Sequence, residues 1–289
     1  MFLAWFLRLL SRLPLKILYV ISDGLAWLAI HMVRYRHTVI RENLSRSFPE
    51  KSPEEIRDLA QAFYYNLMDV MVESLKGLTI SEASLRSRVT FHNMDLINEY
   101  YDRRQSIIFL TTHQCNWEWL LLAGCIYLPY PVDAVYKPLA SKKMDALMYQ
   151  ARARFGGKPI AKDRVLREVL RRKEQVRAIA MVADQTPARS TPRYWINFLH
   201  QETGFYRAIE QLPRAVQYPV LFAAMKRVGR GYYEVSFVPI GDPPYEKGDL
   251  TILPKYTKQA ELMIQQQPTN WLWSHKRWKH APPSHKTDQ

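Results

Sequence analysis

The sequence predicts an α/β fold: a single layered domain on a mixed, partly parallel central sheet flanked by helices, with an N-terminal hydrophobic helical anchor. Short apolar runs of strand length, "SIIFLTT", "VDAVY" and "AIAMVA", alternate with stretches of helical period. The 289 residues suffice for one sizeable core, and 47% hydrophobic with 24% charged residues is a globular balance. The anchor follows from the opening stretch, "MFLAWFLRLLSRLPLKILYVISDGLAWLAIHMVRYR", the most apolar part of the chain. The resulting parse is a membrane-associated helical segment over 1–30, a catalytic domain over 31–280 and a flexible tail over 281–289.

The opening stretch is not a clean transmembrane helix, because Arg8, Arg12, Lys16 and Asp23 interrupt any window of about 20 residues. Pro14 and the same charges also break the apolar core that a signal peptide needs. Phe2, Trp5 and Phe6 with interspersed arginines suit a helix lying in, or dipping into, a membrane interface; a buried helical hairpin is the alternative. The basic run Arg34, Arg36, Arg41 and Arg46 suits anionic headgroups. Next, "SFPEKSPEEI" reads as a loop entering a helix, with Ser52 as N-cap, Pro53 at the first helical position and Glu54 and Glu55 in the first turn; the helix runs to about Leu75.

Then come a buried strand "SIIFLTT", a helix "NWEWLLLAGCI", a strand "VDAVY" and a helix "SKKMDALMYQARARFG" stopped at Gly156. A helix "DRVLREVLRRK", a strand "AIAMVA", a helix "GFYRAIEQLPRAV", strands "PVLFAAMKR" and "YYEVSFVPI" and a last helix within "LTILPKYTKQAELMIQQQ" complete the order.

Composition narrows the partners. A formal charge of +14 points to nucleic acid, an anionic membrane or an acidic carrier protein. No recognisable nucleic-acid-binding motif accompanies it, and "HKRWKH" is the best fragment in that direction. The 12% aromatic content fits either a membrane–water boundary or an aromatic core. Cys115 and Cys125 are the only cysteines, so no disulfide framework exists, and a reducing compartment is expected. His275, His280 and His285 have a spacing that suits no standard metal site, so no metal is expected.

The chemistry centres on "TTHQCNWEWLL". Two histidines of the 8 have an acid five residues on: His113 with Glu118, and His37 with Glu42. Five residues along a regular helix rotate about 140°, so such a pair converges only when the histidine precedes the helix. His113 stands between a strand and a helix, with Asn116 as a candidate cap; His37 stands in the basic segment "RYRHTVIRENL". Ligands bind at the carboxyl ends of strands in α/β sheets. A neutral histidine beside a carboxylate can take a proton from a hydroxyl near pH 7. No G-x-S-x-G elbow supplies a nucleophilic serine, so direct attack by an acceptor hydroxyl is the economical mechanism. A histidine merely satisfied at a strand end is the alternative.

Several blocks, in order, resemble the lipid A biosynthesis (late) acyltransferase family within the lysophospholipid acyltransferase-like group. "HQCNWE" resembles its H-x4-D/E signature, "YRHTVIRENLSRSFPE" its N-terminal block, and "VYKPL", "RARFGG", "VADQTP" and "WLWSHKRWK" its later ones. Thr186 and Pro187 depart from the family's usual continuation after Asp-Gln. The resemblance implies a glycerolipid acyltransferase-like fold at the cytoplasmic face of an inner membrane. It implies transfer of a fatty acyl group from a thioester donor, usually acyl carrier protein, to a hydroxyl of a lipid A precursor, with no cofactor. By carry-over, His113 is the general base and Glu118 its orienting partner. Arg152 and Arg154 bind anionic substrate or the oxyanion, and Asp184 and Gln185 shape the acceptor site. Rival readings are the same chemistry on a lysophospholipid, aminolipid or glycolipid, and a non-catalytic basic membrane- or nucleic-acid-binding protein.

Overall fold

The computed structural model describes residues 2–248 and 250–280. Four helices come first: α1 (Phe2–Ser11), α2 (Leu15–His31), α3 (His37–Ser47) and α4 (Pro53–Lys76). After α5 (Glu82–Arg86), the chain runs β1 (Val89–Phe91), α6 (Met94–Asp102), β2 (Ile107–Thr111), α7 (Trp117–Tyr127), β3 (Val132–Tyr136), α8 (Lys142–Ala153), β4 (Lys158–Ala161), α9 (Val165–Arg171) and β5 (Ala178–Val182). A hairpin β6 (Arg193–Phe198) and β7 (Gln201–Tyr206) follows, then α10 (Ala208–Val216), β8 (Val220–Gly229), β9 (Tyr232–Gly241) and α11 (Ile252–Gln266).

The main sheet has the order β1-β9-β8-β2-β5-β3-β4, and every pairing is parallel except β8 with β9. The predicted mixed, partly parallel sheet is therefore present. β2 lies at its centre with all five residues buried, as a strand covered on both faces requires. One apolar cluster beneath α4, α10 and α11 and a second beneath α6 and α7 fill the two faces.

Local chemistry explains the elements that were foreseen. Ser52 accepts from Glu55 N while Glu55 reaches back to Ser52 N, which satisfies two orphan donors at the start of α4. Asn116 caps α7 by accepting from Trp119 N at 2.9 Å. The glycine stop after α8 works differently from expectation. The helix ends at Ala153, and a 3-10 turn over Arg154–Gly156 carries the chain to Gly156 at φ +86°, a conformation that favours glycine.

Several elements differ from the sequence reading. α5, β1, α6, β4 and β6 had no counterpart, and "GFYRAIEQLPRAV" splits between the end of β7 and α10. β1 and β4 are three- and four-residue edge strands, too short for an alternation to register.

No single helix among the described residues is long and apolar enough to cross a membrane. Trp5–Ser11 and Leu15–His31 pass that test only as a pair, bent by 119°. α2 is apolar on two sides: Leu15, Leu18, Ser22, Ala26 and Ala29 are buried, whereas Ile17, Val20, Leu25 and Trp27 are exposed. A buried polar knot pins it to the body. Asp69 on α4 accepts from Ser22 at 2.7 Å and from Arg227 and Arg230, and Arg230 also pairs with Asp23 at 2.6 Å. The expected tail over 281–289 lies outside the described residues.

Removing one partner of a buried ion pair strands the other, at about 3–5 kcal/mol. Asp69→Ala should therefore lower the urea midpoint by an amount equivalent to about 3 kcal/mol, and an unchanged midpoint would show that the knot does not hold the helices.

Candidate active site

β2 and β5 are neighbours, parallel and in register from Ile107↔Ala178 to Thr111↔Val182. Each strand ends, runs one further residue, and then places a functional side chain: His113 after Thr112, Asp184 after Ala183. The register therefore sets the two opposite each other at the carboxyl edge of the sheet. Asp184 Oδ1 lies 2.6 Å from His113 Nδ1, and Asp184 Oδ2 accepts from the His113 backbone N–H at 2.9 Å. Trp271 Nε1 donates to the same Oδ2 at 2.6 Å.

Asp184 is 2% exposed. Burial disfavours its charge, but the facing His113 and the hydrogen bonds from His113 and Trp271 outweigh that cost and hold the carboxyl below its ordinary value. An ionised Asp184 only accepts, so the proton of neutral His113 is placed on Nδ1, and Nε2 keeps its lone pair. The Gln185 side-chain amide nitrogen lies 3.1 Å from that Nε2, and the Trp117 ring packs edge-on at 5.1 Å between centroids.

The other expected residues divide. Glu118 was expected to orient His113; it is instead engaged by Arg152, whose Nε and Nη2 donate to its two oxygens at 2.9 and 2.5 Å. That pair ties the first turn of α7 to the end of α8, and Glu118 outweighs the effect of burial to raise the Arg152 guanidinium above its ordinary value. Glu118 lies in the first turn of α7, whereas Asp184 occupies the position on the adjacent strand that matches His113. Arg154 donates to the carbonyls of Gly77 and Ile80 at 2.5 and 2.7 Å, so it closes the end of α4. His37 and Glu42 diverge along α3, as the helical rotation requires.

Neither cysteine is a nucleophile in waiting: burial pushes both thiols up to about 12. The segment after α11, quoted in the sequence reading as "WLWSHKRWK", had no role assigned to its residues. Besides Trp271, it brings His275, whose Nε2 accepts from Thr186 N at 3.1 Å, and Arg277, whose carbonyl accepts from Thr186 Oγ1 at 2.5 Å. The Arg277 guanidinium is buried 4.4 Å from the Phe205 ring centroid; burial lowers it to about 10, against the pull of Asp184. Only the local signature "WLWSHKRWK" could have pointed there, because nothing in the spacing relates it to His113.

A carboxylate-oriented histidine at the carboxyl edge of a layered α/β sheet is an arrangement that can take a proton from a hydroxyl. Comparison with known proteins narrows this. The model of the bacterial lipid A biosynthesis acyltransferase family matches residues 1–280, and the chain belongs to that family. It is 23% identical over 280 residues to the lipid A biosynthesis lauroyltransferase of Escherichia coli K12, covering 96% of this chain and 90% of that protein. It is 22% identical to the palmitoleoyltransferase of the same organism, over 97% and 92% of the two chains. A lipid A biosynthesis acyltransferase of Haemophilus influenzae is 22% identical over 95% and 88%. The protein is an acyltransferase.

Asp184→Asn should lower kcat by about two to four orders of magnitude, because an amide can donate to Nδ1 and leave the wrong tautomer. Glu118→Gln should show its loss together with a lower melting temperature, as Arg152 loses its charge partner; a Glu118→Gln enzyme of full stability but no turnover would reassign the orienting role.

His275 is lowered to about 4, first by burial and then by nearby cations. Its neutral Nε2 is needed as an acceptor for Thr186 N. The unfolded chain therefore binds the extra proton between about pH 6.5 and 4, and stability falls as pH drops through that window, by about 3 kcal/mol in all. His275→Asn should flatten this part of the stability–pH curve; an unaltered slope would place the acid sensitivity elsewhere.

Proposed function

We propose that this acyltransferase moves a fatty acyl group from an acyl-thioester donor, acyl carrier protein, to a hydroxyl of a lipid A precursor. His113 acts as general base and Asp184 as its orienting carboxylate. The single observation that carries the mechanism is the 2.6 Å contact of His113 Nδ1 with Asp184, which leaves Nε2 as the proton acceptor. The acceptor class rests on the family match and on the printed activities of the relatives.

The chemistry balances without a covalent enzyme intermediate. Nε2 takes the acceptor's hydroxyl proton as the oxygen attacks the thioester carbonyl. The resulting oxyanion collapses, the carbon–sulfur bond breaks, and the imidazolium returns the proton to the departing thiolate. Asp184 stabilises the imidazolium between these steps without taking its proton. Gln185, on Nε2, holds the ring in place until the acceptor hydroxyl replaces it. No cofactor takes part.

The net charge of +14 favours both an acidic carrier protein and an anionic membrane. The exposed apolar residues Trp5, Leu9, Val20 and Trp27 on the N-terminal helices, with Met32 and Val33 in the turn after them, support seating at the inner membrane, with the site on the cytoplasmic face where thioester donors are made.

Mass spectrometry of lipid A and phospholipids from cells with and without the protein tests this reading. Lipid A lacking one acyl chain, restored by the wild type but not by His113→Ala, is the expected result. Unchanged lipid A with another lipid missing would retain the chemistry and replace the acceptor; full restoration by His113→Ala would remove the base.

A further inference from the structure

The sequence motif "YRHTVIRENLSRSFPE" has no part in the site described above, yet three of its side chains reach the segment that does. Asn43, on α3 and 7% exposed, donates through Nδ2 to the carbonyls of Trp273 at 2.8 Å and His275 at 2.9 Å. Arg36 Nη1 donates to the carbonyl between them, that of Ser274, at 2.7 Å. Three successive carbonyls are thus held from one side by the N-terminal helices. Phe48, at the end of α3, packs edge-on against the Trp273 ring at 5.8 Å.

The other side of the same segment is bonded to the base and its partner. Leu272 N donates to the carbonyl of His113 at 3.1 Å, and Cys115 N donates to that of Asn270 at 2.9 Å. Trp271 Nε1 donates to Asp184, and the His275 ring accepts from Thr186 N, two residues past Asp184. Trp271 and Trp273 lock together edge-to-face at 4.6 Å, so a shift of one carries the other. The antiparallel bridge Gln114↔Trp271 fixes the start of the segment, and beyond it the side-chain bonds from Asn43 and Arg36 hold the carbonyls that no ladder continues to pair.

We propose that Asn43, seconded by Arg36, is a positioning residue for acyl transfer. It touches neither substrate nor the reacting atoms, but sets the 271–275 segment and through it the distance and angle between His113 and Asp184. The proposal rests on the His113–Asp184 reading of the site. A displacement of about 1 Å at a reacting centre costs about 100-fold in rate, so a bond this far from the chemistry can matter to turnover without contacting it.

The test is steady-state kinetics with purified full chain, acyl carrier protein thioester and lipid A precursor, alongside melting temperatures. Asn43→Asp keeps the shape of the side chain but presents an acceptor to two carbonyls; it should lower kcat about 10- to 100-fold with KM for either substrate changed less than about threefold. Trp271→Phe removes the donor to Asp184, and the double variant should be little worse than the poorer single one, because both act along one path. Ser52→Ala, at the exposed cap of α4, controls for lost stability alone and should keep wild-type kcat. If Asn43→Asp does not fold, Arg36→Met, at an exposed position, should still lower kcat about threefold or more. Wild-type kcat in Asn43→Asp would overturn the proposal, as would losses in Asn43→Asp and Trp271→Phe that multiply in full. A fully active His113→Ala would instead sink the reading of the site, independently of either result.

Discussion

Everything at the catalytic edge depends on the parallel pairing of β2 with β5. Two neighbouring strands in register end at the same height, so side chains two residues past each end face one another. Parallel strands require covered faces and a long crossover between them. That requirement places α7, β3, α8, β4 and α9 between His113 and Asp184, which lie 71 residues apart in the chain. A one-residue slip of β5 would carry Asp184 off the imidazole and exchange the two core faces on which Ile179 and Met181, and Ala178 and Ala180, pack. The packing that stabilises the sheet and the geometry that orients the base are thus specified by one interaction.

Burying a carboxylate at that point creates a debt of solvation that the surroundings meet from three directions. His113 supplies two hydrogen bonds, Trp271 a third, and Arg277 a charge beyond direct contact. Glu118 is compensated separately and more simply, by both arms of Arg152. The two acids therefore hold different things in place: Asp184 orients a ring, whereas Glu118 joins two helices. Of the two, Asp184 is the one that meets His113 Nδ1.

The sheet core and the placement of His113 at a strand end were legible in the sequence because both are local signals. An apolar run followed by a histidine and an asparagine cap needs only a dozen residues, and "SIIFLTTHQCNWEWLL" contains them. Helix α4 was equally plain, since Ser52, Pro53 and Glu55 write its start into adjacent positions. The partner of His113 was not legible, because the choice between Glu118 and Asp184 depends on which strand lies beside β2. Sequence distance favours Glu118; strand order favours Asp184. Edge strands β1 and β4 escaped for want of length, and the roles of Asn43, Trp271 and His275 depend on contacts that span most of the chain.

The placement of Trp271 also sets when Asp184 gains its last hydrogen bond. A polypeptide is made from its N-terminus, so the apolar helices, the sheet and His113 are synthesised before the segment that holds Asp184 from the far side, 87 residues beyond it. A chain still attached to the ribosome tunnel by that segment has its histidine and lacks the indole that steadies the histidine's partner. Contacts of such long range are also the last to repay their closure entropy during folding. The carboxylate beside His113 therefore gains its full set of hydrogen bonds only after residue 271 has left the tunnel.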